Sequence, residues 1–277
     1  MRRKAIIISL KGTSLTKKEK SLLIQEKPWG VILFDRNLKS INQIKQLTST
    51  IKKLTRNKTF PIMIDEEGGA VTRLKKIINH NLSANFFGNL FKNNKNFCLK
   101  IYKLYLFSIC DILKDLGINI NTIPVLDIVR HNTNKIIGNR SFSNDKHIVK
   151  ILGNLTINHL HSNKISGVIK HIPGHGASKT DSHKRTPIVQ LDKKRLNEID
   201  FYPFKASKAK MGMTAHIIYS TIDKNNVATF SKKIINEVIR KKIGYKGILM
   251  SDDISMKALK VSHSCDKRMS TIIIWII

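Results

Sequence analysis

Acidic side chains are scarce in this chain: 19 Asp and Glu stand against 50 Lys and Arg, a formal net charge of +31 over 277 residues. Cysteine is scarcer still. Cys98, Cys110 and Cys265 have neither the density of a disulfide scaffold nor the paired spacing of a zinc finger, which fits a reducing compartment. No apolar run approaches the roughly 20 residues of a membrane span. The opening MRRKAIIISL mimics a secretory leader, but its apolar core of residues 5–8 is too short and Lys11 follows closely, so it reads as a first strand. A soluble, cytoplasmic chain with no membrane partner is the expectation. Also missing are a G-x-G-x-x-G turn after the first strand, a G-x-x-x-x-G-K-[ST] phosphate loop and an H-E-x-x-H pair. His171, His175 and His183 could gather, yet no metal-ligand spacing supports it, and neither metal nor cofactor is expected.

The positive excess would suit a phosphate-bearing partner if it were clustered. It is not. Lysines recur along the whole chain, often beside Asn and Ile, as at Lys92, Lys95, Lys232 and Lys233. This reads as a bias towards AT-rich codons, with the charge on solvated helix faces and no nucleic-acid partner. A basic nucleic-acid-binding module is kept as an alternative, and it would show a steep salt dependence of binding.

Short apolar runs alternate with helix-like segments, the pattern of a parallel sheet with crossover helices. Strands are predicted at 5–10, 30–34, 60–65, 117–121, 165–169, 211–215 and 247–251. Helix starts are predicted at Thr16, with Glu19 at capping-box spacing, and at Ser40 and Ser231. Asp65, Lys170, His216 and Asp252 all fall just after strands, where the βα loops of a barrel converge. The fold class predicted is α/β, a (β/α)₈ TIM-like barrel lacking its last β/α unit; a doubly wound open sheet is the runner-up. Residues 1–260 form the barrel domain in this reading and 261–277 an atypical tail. In that tail TIIIWII could act as a makeshift eighth strand or mark a frameshifted or truncated end, leaving strands one and seven with unpaired edges.

Three motifs carry chemistry. KHIPGHGASKTDSH, from Lys170 to His183, is a glycine-broken loop with three histidines, in which Asp181 can orient and charge-support His183 as a general acid/base. MIDEEGGAVTRL, from Met63 to Leu74, places three carboxylates and a Gly68–Gly69 turn after a strand; acids at a helix N-terminus would explain it without function. GILMSDDISMKAL offers Asp252 and Asp253, one a possible nucleophile and the other a cap. Arg140 in IIGNRSF is ordinarily a surface charge. His216 in MTAH is ordinarily a satisfied structural histidine.

In order and separation, VILFDRN, IDEEGGAVTRL, IGNRSF, KHIPGHG with DSH, MTAHIIYSTID and SDDISMKAL resemble the family-3 glycoside hydrolases, specifically the single-domain bacterial β-N-acetylhexosaminidases of peptidoglycan recycling. The resemblance runs from about Lys4 to Leu259, and KHIPGHG followed by DSH is its most specific part. It implies an exo-acting, retaining cleavage of terminal N-acetylglucosamine from peptidoglycan-derived muropeptides; a monomer is expected, although the sequence does not fix the oligomeric state. Asp252 matches the nucleophile, His183 the acid/base and Asp181 its dyad partner; Asp65, Arg73, Arg140, Lys170 and His171 match sugar-binding positions. Water and phosphate are both compatible with the covalent intermediate this implies. Glu66 stands where relatives commonly carry Gln, and Ala70 where they commonly carry Arg, so an altered periphery of the sugar site is expected. An inactive remnant of such an enzyme is the alternative, motivated by the change in character after Leu259.

Overall fold

The computed structural model describes residues 3–131, 133–182, 185–259 and 271–275. Seven strands run parallel: β1 (Lys4–Ser9), β2 (Pro28–Leu33), β3 (Ile62–Ile64), β4 (Ile120–Asn121), β5 (Ser166–Ile172), β7 (Met211–Thr214) and β9 (Ile248–Ser251). Each lies where the alternation of apolar runs predicts one. β4 is shorter than the predicted 117–121 because the preceding helix consumes the segment's start: Gly117 takes a left-handed φ of 73° and the Ile118 N–H turns back to the Leu113 carbonyl. β6 (Ile188–Val189) and β8 (Ile218–Tyr219) form a separate two-stranded parallel sheet.

The sheet closes, so the open doubly wound alternative does not hold. Closure is made by β10 (Thr271–Trp275), which pairs antiparallel with β1 on one side and β9 on the other. Five residues assigned to the tail therefore occupy the eighth position, and neither β1 nor β9 is left as an edge. Cys265 and the rest of 260–270 lie outside the described residues.

Strand alternation divides the core in two. Ile7, Ile32, Met63, Ile120, Val168, Met211, Met213 and Met250 fill the barrel's interior, where four flexible methionines suit the irregular space. Their neighbours Ile8, Val31, Leu33, Ile62, Ile64, Ile169 and Leu249 face outward against the helices. The helix starts follow their capping residues. Thr16 and Glu19 complete a capping box on α1 (Lys17–Gln25). Ser40 accepts from the Gln43 N–H at the start of α2 (Ile41–Leu54), which buries Ile44, Leu47, Thr48 and Ile51 along one face. Ser231 accepts from the Ile234 N–H at 3.1 Å, opening a π-wound helix, Ile234–Lys242.

After β3 come α3 (Ala84–Asn93) and α4 (Lys95–Asp115); α5 (Lys146–Ser162) follows β4, and the short α6 (Lys193–Glu198) follows β6. α3 crosses so close to the loop before α5 that a Cβ at Gly88 would lie 1.6 Å from the Phe142 carbonyl oxygen. Overpacking of that kind costs about 1–3 kcal/mol. Gly88→Ala should therefore lower the unfolding free energy by about that amount in urea denaturation; an unchanged midpoint would mean that this contact yields freely.

Candidate active site

The carboxyl end of β3 delivers three consecutive acids to different tasks. Asp65 accepts from Lys170 Nζ at 3.2 Å and from Arg73 at 3.4 Å, and it takes the Thr122 hydroxyl as well. Burial alone would raise its pKa, but Lys170, Arg73 and Thr122 together hold the carboxyl well below the usual carboxylate range. Glu67 receives Arg140 through two nitrogens, Nε at 2.7 Å and Nη2 at 2.9 Å, and Lys170 Nζ at 2.6 Å. It too stays ionised against burial, through Arg140 first and Lys170 second. Arg140 is thus a partly buried, charge-paired group rather than a free surface charge, its guanidinium kept charged by Glu67 despite the desolvation it suffers.

Glu66 points the other way, into the protein. Its carboxylate accepts from the Thr72 hydroxyl at 2.7 Å and the Arg73 and Leu74 backbone N–H groups at 2.8 and 2.9 Å, and it lies 3.2 Å from His80 Nε2. It folds the loop that carries Arg73. Neither Glu66 nor Ala70 lines the cavity described below. No helix begins at these acids; the chain turns at Gly68, whose φ is 82° and where any Cβ would lie 2.2 Å from the Leu82 carbonyl. The helix-terminus explanation of this motif is therefore set aside.

β5 brings up Lys170 and His171 side by side. His171 donates from Nδ1 to Asp127 at 2.6 Å, which leaves Nε2 facing Asp252 Oδ2 at 4.0 Å. Asp127 also accepts the backbone N–H groups of His171 and His175, and although burial opposes it, His171 draws its pKa down. One carboxylate thus fixes both the ring and the loop that follows. Asp252 follows β9. Burial would raise its pKa, but His171 and His216 lie close enough to lower it and keep it ionised. Asp253 accepts from the Ser255 N–H and hydroxyl at 2.9 and 2.8 Å and so closes a turn; among the described residues no α-helix begins there for it to cap. His216 is satisfied on both nitrogens, by Thr229 at 2.7 Å and the Asp253 carbonyl at 3.2 Å.

These groups enclose a cavity of about 260 Å³, lined on its charged side by Asp65, Glu67, Arg73, Arg140, Lys170 and Asp252, and on its apolar side by residues that include Phe34, Met213 and Met256. All five expected sugar-binding residues and Asp252 meet there. Asp181 does not line it. It lines a neighbouring cleft, and Ser182 lines the cavity itself. His183 lies outside the described residues. Sequence reasoning missed Asp127, Thr122 and the separate part played by Glu67. Asp127 had one visible signal, a lone acid inside the apolar run VLDIV.

A closed barrel of seven parallel strands and one antiparallel strand, whose strand ends gather ionised carboxylates, cations and an apolar wall in one small cavity, is built like a (β/α)₈ glycoside hydrolase with its eighth strand reversed. Residues 4–272 match the glycosyl hydrolase family 3 N-terminal domain, and the chain belongs to that family. It is 31% identical over 258 residues to a β-hexosaminidase of Nitrosomonas eutropha, covering 92% of this chain and 73% of that one. A β-hexosaminidase of Stenotrophomonas maltophilia is 31% identical over 262 residues, 94% of this chain and 76% of that one. Among solved structures, NagZ from Neisseria gonorrhoeae in complex with N-trifluoroacetyl-D-glucosamine superimposes with a TM-score of 0.85 at 30% identity, over 92% of this chain and 75% of that one. A family-3 β-N-acetylglucosaminidase from Paenibacillus sp. gives 0.82 at 27% identity, over 94% and 50%.

His175 supplies a pH test of this packing. It is buried at the cavity wall beside His171, ring centroids 5.6 Å apart, and burial together with His171 brings its pKa from 6.5 down to about 4. The unfolded chain takes up this proton first as pH falls, so stability from His175 is complete above about 6.5 and lost progressively towards 4. Asp65, Glu67 and Asp127, whose pKa values are lowered, begin to lose their contributions only below about pH 5. His175→Gln should flatten the fall in melting temperature between pH 6.5 and 4; parallel profiles for variant and parent would assign that fall to another group.

Proposed function

We propose that this family-3 hydrolase is an exo-acting, retaining β-N-acetylglucosaminidase that releases terminal N-acetylglucosamine from peptidoglycan-derived muropeptides, acting in the cytoplasm as a monomer. The observation that carries the reading is Asp252: an ionised carboxylate at a strand end, 4.0 Å from His171 Nε2, facing a cavity whose other wall is a hydrogen-bonded set of acids and cations. Such a cavity accommodates about one pyranose ring, as an exo-acting enzyme requires. The relatives' names, β-hexosaminidase and β-N-acetylglucosaminidase, support the choice of sugar.

In this reading Asp65, Arg73, Arg140, Lys170 and His171 hold the ring through its hydroxyls by charge-assisted hydrogen bonds. The Asp252 carboxylate forms a bond to the anomeric carbon as the bond to the leaving oxygen breaks. His183, supported by Asp181, gives that oxygen its proton. Water then attacks the glycosyl-enzyme, His183 takes one of its protons, and the Asp252 carboxylate departs unchanged. Charge on the anomeric carbon rises in both steps, so an Asp252 held ionised is the form that both steps need.

The test is release of nitrophenol from nitrophenyl N-acetyl-β-D-glucosaminide. Asp252→Asn should lower kcat by about three orders of magnitude or more, as loss of a covalent nucleophile does, with an unchanged circular dichroism spectrum. Equal rates for parent and variant would remove Asp252 from the role. A folded parent with no turnover would favour the inactive-remnant reading instead.

A further inference from the structure

The positive charge that recurs along the whole sequence is gathered at one place in the fold. At the amino ends of β3 and β4, opposite the sugar cavity, the last turns of α2 and the turn after α4 enclose an open cleft of about 700 Å³. Lys45, Lys52, Lys53, Arg56 and Lys58 line it against a single carboxylate, Asp115. The stretch that supplies these cations has no acid at all between Asp35 and Asp65. Among the described residues only Lys45 of the five meets a carboxylate, Asp115 at 2.6 Å. Lys52 is fixed differently: its Nζ donates to the Gly117 carbonyl at 2.7 Å, and burial pushes the ammonium below the usual lysine range. Gly117 leaves that ammonium room, since a Cβ there would lie 3.1 Å from it. Helix C-termini favour cations, which accounts for Lys52 and Lys53 in the last turn of α2. It does not account for Lys45, well before that turn, or for Arg56 and Lys58 beyond the helix.

We infer that this cleft is a binding site for an anion that carries several closely spaced phosphates. Between the cations stand Thr48, Ser49 and Asn57, and the lining includes no aliphatic or aromatic residue on which a sugar, a base or an acyl chain could rest. Recognition here is therefore of charge, with hydroxyl and amide groups to complete it. Lys45 to Arg56 covers about 16 Å at the rise of a helix, farther than one phosphate reaches, so a row of phosphates satisfies more of the cations than a single one. Five cations around one acid repel each other, and an anion that neutralises them relieves that repulsion. The charges are partly exposed, so each contact is weak alone and screened by salt. The site stands apart from the glycosidase chemistry: its residues precede β3 and β4, whereas the sugar cavity is built past the other ends of those strands.

The chain's general positive charge would attract any anion, and the experiment must separate the two effects. Titration calorimetry of the full chain with inorganic tripolyphosphate should give one-to-one binding, with orthophosphate about tenfold weaker or more. The affinity for tripolyphosphate should fall about tenfold or more between roughly 0.05 and 0.3 M salt. Lys52→Gln, Arg56→Gln and Lys58→Gln combined should weaken it about tenfold or more at low salt. Lys193→Gln, Lys232→Gln and Lys233→Gln combined remove the same charge from exposed positions elsewhere and should leave the affinity within about twofold. Melting temperatures without ligand report that both variants are folded; if the first melts early, Lys58→Glu alone, at an exposed position, should still lower the affinity about fivefold. Cosedimentation with phosphatidylcholine vesicles doped with cardiolipin, lost in the cleft variant and kept in the other, would put the phosphates on a lipid headgroup; binding of tripolyphosphate without cosedimentation would put them on a soluble molecule. No binding by the parent, or an equal loss in the two triple variants, would overturn the site and leave only diffuse attraction of anions. An RNA of roughly 20 nucleotides that binds more tightly than tripolyphosphate, and loses affinity equally with either triple variant, would overturn it in favour of nonspecific nucleic-acid binding.

Discussion

A lysine ammonium held almost wholly out of water sets the terms for the rest of the site. Lys170 is 2% exposed, and a buried cation is tolerated only when carboxylates and hydroxyls replace its water. Asp65, Glu67 and Thr122 do so from two other strand ends. Glu67 in turn anchors Arg140 from the loop after β4, and Asp65 anchors Arg73 from its own loop. Three strands and two loops, already registered by their backbone pairing, are thereby tied together at one end by ion pairs and the Thr122 hydroxyl. Because every member has a partner before any sugar arrives, the cluster is preorganised, and a ligand hydroxyl needs only to enter a set of dipoles already aligned.

The Glu66 carboxylate illustrates how this order is maintained at one remove. Four donors surround it, two of them backbone N–H groups, and an amide in its place would turn one acceptor oxygen into a donor. His80 supplies the extra partner that the acid requires. The acid at position 66 is therefore partnered inside the loop rather than exposed to the cavity, and Arg73 is presented as the loop's shape demands.

Most of the scaffold was legible from pattern. Buried parallel strands read as unbroken apolar runs, and a capping serine or threonine ahead of periodic apolar residues announces a helix, so seven strands and the starts at Thr16, Ser40 and Ser231 could be placed. The charged site residues were legible because they stand at strand ends, the one location where a barrel exposes them to each other. Asp127 and Glu67 were harder. Asp127 sits in an apolar run that gives its strand-like neighbours their signal, and its meaning appears only when His171, 44 residues on, is folded against it. Glu67 is one of three adjacent acids, and chain order cannot say which of them faces Arg140 and which turns inward. Local sequence carries periodicity; it does not carry the pairing of groups that meet only in three dimensions.

β10 separates two jobs that barrel strands ordinarily perform together. Completing the ring of hydrogen bonds asks only that a strand present donors and acceptors to both neighbours, and either polarity satisfies that. Furnishing the site asks more, since only a strand whose carboxyl end reaches the rim can hand the chain onward into a loop above it. β10 arrives from the rim, with Thr271 beside Ile8, and runs away from it. Among the described strands, the eighth stave holds the cask shut while six of the others build what lies at its mouth.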